Sequence, residues 1–151
     1  MGRMKGEVQV SSMKDRKEVP WDIRERAFEY ALRAINLYRA TQTGRDTAGW
    51  VLGKQFLRSA TSIGANIEEA RSGESRGDFI HKYGIAQKEA RESLYWLRLI
   101  AKSGILTRPQ LDPLLEETNE LISVITAIIV RSKKKHRSDG KDEDRSMKDE
   151  V

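Results

Sequence analysis

The residues of this chain that could support metal chemistry are four glutamates on two adjacent predicted helices and the two histidines: Glu68, Glu69, Glu89, Glu92, His81 and His136. A di-metal site in a helical bundle needs carboxylates from four helices and two Glu-x-x-His motifs. Neither histidine follows a glutamate by three residues, and cysteine is absent. The chain also has no P-loop, no Rossmann glycine pattern and no nucleophile with a matching histidine and acid. We therefore predict no catalytic residue, no metal and no cofactor, and expect that the protein is not an enzyme.

Positive charge is concentrated near the carboxyl end of the chain. The five cations of residues 131–137 are Arg131, Lys133, Lys134, Lys135 and Arg137. A dense positive surface contacts phosphates without base specificity, so these side chains are the candidate nucleic-acid-binding residues. A solvated helix end also favours such residues, because they interact with the negative end of the helix dipole. Four acids follow closely and would mask the cations if they folded back: Asp139, Asp142, Glu143 and Asp144.

A strip of uncharged and acidic residues follows one face of the predicted second helix: Ser59, Ser62, Asn66 and Glu69. At 100° per residue the strip is separate from an apolar arc and from a third, mixed arc, whereas a surface helix needs only two faces. The strip therefore predicts that the polar side of this helix also meets protein. We expect Asn66 to be structural, because a buried amide must satisfy its donors and acceptors. An exposed asparagine in mid-helix is the alternative.

Apolar residues that recur at spacings of three and four predict four helices. The expected bounds are 22–41, 49–71 and 76–103, and the fourth helix should end between residues 131 and 137. Four helices with short connections form an antiparallel up-down-up-down bundle, so the predicted fold class is all-α.

The domain organisation follows from the same periodicity. We predict a disordered segment at residues 1–20, the four-helix bundle at 21–134 and a charged disordered tail at 135–151. The start of the fourth helix has two candidates, since Thr107 and Gln110 resemble a capping box, whereas Asp112 before a proline is also a suitable cap.

The third helix predicts self-association. After residue 93 it is apolar almost all round, and this part includes Tyr95 and Trp96. A helix that is apolar on every side is buried on every side, and aromatic residues are favoured in interface cores. Glu92 could pair with an arginine or cap polar contacts between subunits. These three residues and the polar strip of the second helix are the candidate interface.

Two glycines, Gly53 and Gly64, lie on the apolar arc of the second helix. A glycine inside a helix costs about 1 kcal/mol relative to alanine. Their position on the buried side therefore predicts the close approach of a neighbouring helix, with simple tolerance in a long helix as the alternative.

Length and composition fit one globular domain, with 38% hydrophobic and 34% charged residues among 151. The longest aliphatic run, at residues 121–130, is shorter than the roughly 20 residues of a membrane span. No signal peptide is recognisable, and the absence of cysteine fits a reducing compartment, so we expect a cytoplasmic protein that does not contact a membrane. The net charge of +5 lies mostly in the two ends of the chain.

The motif Ser62-Ile63-x-x-Asn66-Ile67-x-Glu69, followed by Phe79, Ile85-Ala86, Glu92 and Tyr95-Trp96-Leu97, resembles a bacterial family. Its members were first noted as reading frames in 23S rRNA intervening sequences, and the accessory variability determinant of diversity-generating retroelements is a relative. The resemblance covers residues 22–130 and departs at Ala70 and at Lys88-Glu89. It implies an antiparallel four-helix bundle and a ring-like homopentamer. The retroelement relative binds a reverse transcriptase and nucleic acid through a basic outer surface.

Two functional hypotheses follow from the sequence and the resemblance. The first is a non-enzymatic oligomeric bundle that binds structured nucleic acid, RNA or DNA, through basic surfaces. The second is a protein-binding scaffold or an accessory subunit of a reverse transcriptase, without nucleic-acid affinity of its own. An enzyme with an unrecognised site is a third class, which no motif supports.

Overall fold

The computed structural model describes residues 22–73 and 75–149, with side chains as far as residue 141. The described residues form four helices and no strand, which confirms the all-α class. The helices are α1 (Ile23–Gln42), α2 (Thr47–Arg71), α3 (Arg76–Lys102) and α4 (Arg108–Asp149). The segment at residues 1–20 that we predict to be disordered lies outside the described residues.

Side-chain caps define the starts of the first three helices. Asp22 and Ser75 cap α1 and α3, since their side chains accept hydrogen bonds from backbone N–H groups of the first turn. Helix α2 begins two residues before the predicted start, because the Asp46 carboxylate accepts from the N–H groups of Ala48 and Gly49. Gly104 follows α3 with a φ of 75°, a conformation that ends a helix and favours glycine.

Helix α4 starts at the first of its two candidate caps. The backbone N–H of Thr107 donates to Gln110 Oε1 at 3.1 Å, which is the reciprocal half of a capping box. Pro113 lies inside the helix, in its second turn. Asp112 is therefore not the cap, and its carboxylate instead pairs with Arg108 at 3.0 Å.

The predicted end of helix α4 between residues 131 and 137 is wrong, because the helix continues to Asp149. The described residues of the expected tail at 135–151 are thus helical. Loss of apolar periodicity ends the packing of a helix on a core, but lysine, arginine and glutamate remain good helix formers. An ion pair between Asp139 Oδ2 and Arg76 Nη1, 2.6 Å apart, also joins this part of α4 to the start of α3.

Each helix packs on the next one along the chain, and α1 also meets α4. Ala27 lies against Gly64 at one end of the α1–α2 contact. Between α3 and α4, Gln87 donates to Thr126 Oγ1 at 2.8 Å. Arg26 Nε donates to Glu117 Oε1 at 2.7 Å between α1 and α4. All four helices contribute to one apolar core, whose largest fully buried apolar side chains include Phe56, Ile63, Ile67, Leu97, Ile100, Leu111, Leu121 and Ile125.

One hydroxyl from each helix is fully buried inside this core: Tyr30, Ser59, Ser93 and Thr118. Tyr30 and Thr118 are hydrogen-bonded at 2.6 Å, and Ser93 Oγ lies 2.9 Å from Ser59 Oγ. Burial raises the pKa of Tyr30, against the opposing effect of hydrogen bonds to Thr118 and Ser93. Every buried side-chain polar atom among the described residues has a partner, so these hydroxyls fix the relative position of the helices without an unsatisfied group.

The two glycines of α2 differ in how closely a neighbour approaches them. A methyl group at Gly53 would overlap Thr41 Oγ1 and lie 3.0 Å from its Cβ, whereas a methyl group at Gly64 would lie 3.6 Å from Ala27. The close approach predicted from sequence is therefore confirmed at Gly53, while Gly64 leaves room for ordinary van der Waals contact.

Alanine substitutions at these two positions should change stability in opposite directions. Gly53→Ala should destabilise by about 1–3 kcal/mol, because Thr41 is buried and must move. Gly64→Ala should stabilise by up to about 1 kcal/mol through helix propensity. Urea denaturation of the two variants and the parent chain measures both effects. Equal destabilisation by the two substitutions would contradict the difference in spacing.

Candidate nucleic-acid interface

The five predicted phosphate-binding residues lie on the part of α4 that follows the core. Arg131, Lys133, Lys134, Lys135 and Arg137 are all exposed. The preceding core residue of α4 is Ile129, and the ion pair of Asp139 follows the segment. The basic segment therefore runs beside the first turns of α3 on a continuous helix.

The helical geometry distributes these cations around the exposed side of α4. At 100° per residue, Lys133, Lys134 and Arg137 fall within an arc of about 100°, while Arg131 and Lys135 fall within a second arc of about 40°. None of the five forms an ion pair with another residue that the structure describes. Their charges are available to a phosphate backbone on more than one side of the helix.

The four acids that follow the basic segment are Asp139, which pairs with α3, and three residues farther along α4. The Asp139 carboxylate pairs with Arg76 of α3 rather than with a cation of the segment. Asp142, Glu143 and Asp144 lie in the continuing helix, outside the residues whose side chains are described. Because the backbone of residues 142–144 continues along the axis of α4, it does not fold back over residues 131–137.

The predicted interface strip of α2 meets α3 of the same chain at two of its four positions. Ser59 is fully buried and accepts from Ser93, and Glu69 Oε2 lies 2.5 Å from Lys82 Nζ. Ser62 and Asn66 are half-buried, and each donates to a backbone carbonyl four residues earlier in α2. At Ser59 and Glu69 the polar side of α2 meets a neighbouring helix of the same bundle, and the role of the strip in a subunit interface stays a prediction.

The other three predicted interface residues form a connected group with an arginine. Glu92 accepts from Arg58 of α2 and, at 3.1 Å, from the indole Nε1 of Trp96. The Trp96 ring contacts Tyr95 edge-on, with ring centroids 5.1 Å apart. Trp96 is half-buried, whereas Tyr95 is 54% exposed. The structure therefore confirms that Glu92 pairs with an arginine, and it places Tyr95 on the surface of the chain.

The charges of this group stabilise one another. The hydrogen bond between Arg58 and Glu92 raises the pKa of Arg58. Partial burial raises the pKa of Glu92, but hydrogen bonds from Arg58 and Trp96 outweigh it, so that the pKa is lowered overall. Both groups are therefore charged near neutral pH, although the exposed position of the pair limits its contribution to stability.

Sequence reasoning did not identify Arg58, Ser93 or Lys82 as partners of the predicted residues. Glu92 and Trp96 are four residues apart on one helix, so their contact was readable from the spacing. The contacts with Arg58, Ser93 and Lys82 join two helices, and their register depends on packing. No periodicity within one helix gives that register.

Residues 22–73 and 75–141, whose side chains the structure describes, hold no candidate metal site. No group of three or more His, Asp or Glu side chains in this part of the chain is placed to hold a metal ion. His81 and His136 are both exposed. None of the described helices is long and apolar enough to span a bilayer.

An exposed apolar pair on α1 is a further surface feature. Phe28 and Leu32 lie four residues apart and are 64% and 43% exposed. A groove beside Phe28 is lined by Arg24, Glu25, Glu29 and Glu68. Exposed apolar groups bordered by charged ones are typical of protein-interaction sites.

Comparison with known proteins identifies one family. The family model described as "23S rRNA-intervening sequence protein" matches residues 21–127. A solved structure from Bacteroides thetaiotaomicron, a protein of unknown function from the S23 ribosomal protein family, is similar at 39% sequence identity and a TM-score of 0.67. The match covers 72% of this chain and 98% of that one. No curated protein matches the chain.

Proposed function

The chain belongs to the 23S rRNA-intervening sequence protein family, and from that premise we propose that it is a non-enzymatic, cytoplasmic protein that binds structured nucleic acid by charge. RNA is the first ligand to test, although the family description mentions rRNA as the location of the intervening sequence and not as a bound molecule. The cations of the basic segment, residues 131–137, make the phosphate contacts. No catalytic residue or cofactor enters the proposal.

One observation carries this function. Five exposed cations lie on a single helical segment of α4, and none is neutralised by another described residue. A cation that is not ion-paired can replace counterions condensed on nucleic acid, and the released counterions drive binding. Phosphate contacts of this kind position the protein on the nucleic acid and do not read bases.

The test is a fluorescence-anisotropy titration of the full chain with a hairpin RNA and a duplex DNA. Affinity should fall steeply between about 50 and 200 mM salt, with a slope of about 0.9 per phosphate contact on duplex DNA. The affinity should depend weakly on base sequence. No binding at the lowest salt concentration would refute the proposed function.

We also propose that copies of the chain assemble, as the family resemblance implies, into a homopentameric ring of antiparallel up-down-up-down bundles. The contacts of Ala27 with Gly64, of Lys82 with Glu69 and of Gln87 with Thr126 support this helix order. The exposed pair Phe28 and Leu32 supports a subunit contact on α1. A ring multiplies the basic segment, and multivalent display raises avidity without new contacts.

The alternative function is a protein-binding scaffold, for instance an accessory subunit of a retroelement reverse transcriptase. The groove beside Phe28 favours it, because an exposed aromatic ring bordered by Glu25, Glu29 and Glu68 suits a basic protein partner. This alternative predicts no salt-dependent binding of either nucleic acid by the isolated chain. The anisotropy titration therefore separates the two functions.

A further inference from the structure

A row of four exposed cations and one tyrosine on α3 is separate from the basic segment of α4. Lys88, Arg91, Tyr95, Arg98 and Lys102 follow one another at spacings of three and four residues, which places them along one face of the helix. All five are exposed, and from first to last they span about 21 Å at 1.5 Å per residue. None of the four cations pairs with an acid in the part of the chain that the structure describes.

The aromatic ring of this row, Tyr95, packs against Trp96, which is itself hydrogen-bonded. Tyr95 is 54% exposed, and its ring lies edge-on to Trp96 at an interplanar angle of 66°. Trp96 donates to Glu92, which Arg58 of α2 holds in turn. Because Glu92 of the same helix restricts Trp96 and Arg58 of α2 restricts Glu92, Tyr95 packs on a held ring and loses less side-chain freedom when a ligand stacks on it.

We propose that this face of α3 binds single-stranded nucleic acid, with a base stacked on Tyr95 and the flanking phosphates contacted by Lys88, Arg91, Arg98 and Lys102. The length of the row matches about six nucleotides at the 3.4 Å per phosphate of a helical strand. Aromatic side chains between cations bind single strands in this way, and every base offers a face for stacking. The inference rests on the proposed nucleic-acid function and names a second site for it.

Tyr95 gives the site its preference for single strands. The bases of a duplex are already stacked and paired, so a duplex offers its phosphates to the row but no free base face to the ring. Both forms offer phosphates to the four cations, and only the single strand also offers an unstacked base to Tyr95. A substitution that removes the ring and leaves the charges should therefore affect only the single strand.

The experiment compares Tyr95→Leu with Tyr95→Phe in the full chain. Leucine retains an apolar side chain of helix-forming type and removes the aromatic face, whereas phenylalanine keeps it. The probes are a labelled oligouridine of about ten nucleotides, within the site sizes of single-strand-binding proteins, and an RNA duplex. Tyr95→Leu should weaken oligouridine binding by about five- to 150-fold, the range expected for one stacked base. Duplex binding should not change, and Tyr95→Phe should bind both probes as the parent chain does.

Several outcomes overturn this site and leave the proposed function standing. Equal oligouridine binding by Tyr95→Leu and the parent chain would exclude stacking. A lower oligomeric mass of Tyr95→Leu in light scattering would make Tyr95 a subunit contact instead. Lys88→Gln, Arg91→Gln, Arg98→Gln and Lys102→Gln together should also reduce the salt slope on oligouridine, and an unchanged slope would show that the row does not contact the phosphates of the strand. The proposed function fails separately, if the parent chain binds neither hairpin RNA nor duplex DNA.

Discussion

Replacing the five cations of the basic segment by glutamine is expected to abolish most of the affinity for hairpin RNA and duplex DNA. Arg131, Lys133, Lys134, Lys135 and Arg137 are exposed and lie beyond the core of the bundle, so the substitutions should leave the fold intact. With a counterion-release slope of about 0.9 per phosphate, losing all five contacts weakens binding on the order of 10⁴ to 10⁵ at 100 mM salt. Fluorescence anisotropy across a salt series measures the affinity and the slope together.

A matched control removes the same charge from positions outside the basic segment of residues 131–137. Arg39, Arg45, Lys54, Arg71 and Arg108 are also exposed, and their replacement by glutamine lowers the net charge equally. The control variant should retain most of its affinity and its salt slope, because general attraction by net charge is weaker than direct phosphate contact. Equal loss in both variants would mean that net charge alone drives binding and that the segment on α4 is only a solvated helix end.

Replacing both Phe28 and Leu32 by serine is expected to convert the proposed oligomer into a monomer of 17.3 kDa. These side chains are 64% and 43% exposed in the single chain, so serine removes apolar surface without opening a cavity in the core. Burial of one such side chain contributes about 1.5–3 kcal/mol. Loss of both therefore weakens each subunit contact on the order of 10² to 10⁴. Light scattering after size exclusion gives the mass directly.

Two other exposed apolar residues provide the control for this prediction. Val51 on α2 and Val130 on α4 are 54% and 47% exposed, and Val51→Ser with Val130→Ser should leave the mass unchanged. A monomeric parent chain would reject self-association altogether. An oligomeric Phe28→Ser, Leu32→Ser variant would place the subunit contact on another surface, such as the face of α3 around Tyr95.

The two predictions are linked through avidity. A ring presents several copies of the basic segment, so a monomeric variant with an intact segment should bind nucleic acid more weakly than the parent chain. Its salt slope should also decrease, because fewer phosphates are neutralised by each assembly. Anisotropy of the Phe28→Ser, Leu32→Ser variant therefore tests whether assembly and binding act together.

The sequence alone determined the number, type and most of the bounds of the helices. Spacings of three and four residues mark buried faces, and caps such as Asp22 and Ser75 mark helix starts, because both act within a few residues of chain. The end of α4 was mispredicted for the same reason. Periodicity reports packing, and the helix persists to Asp149 after the apolar pattern stops.

The tertiary structure decided what each polar residue touches. Ser59 was readable as part of a third face of α2, but only the packing of α3 shows that it is buried against Ser93. In the same way, Glu92 was a candidate for an arginine partner, and the register of α2 against α3 selected Arg58. Trp96 is held by Glu92 on its own helix, whereas its neighbour Tyr95 faces outward. Spacing within a helix assigns residues to faces, but the position of one helix along another depends on side chains from both, and that information is distributed over residues far apart in the chain.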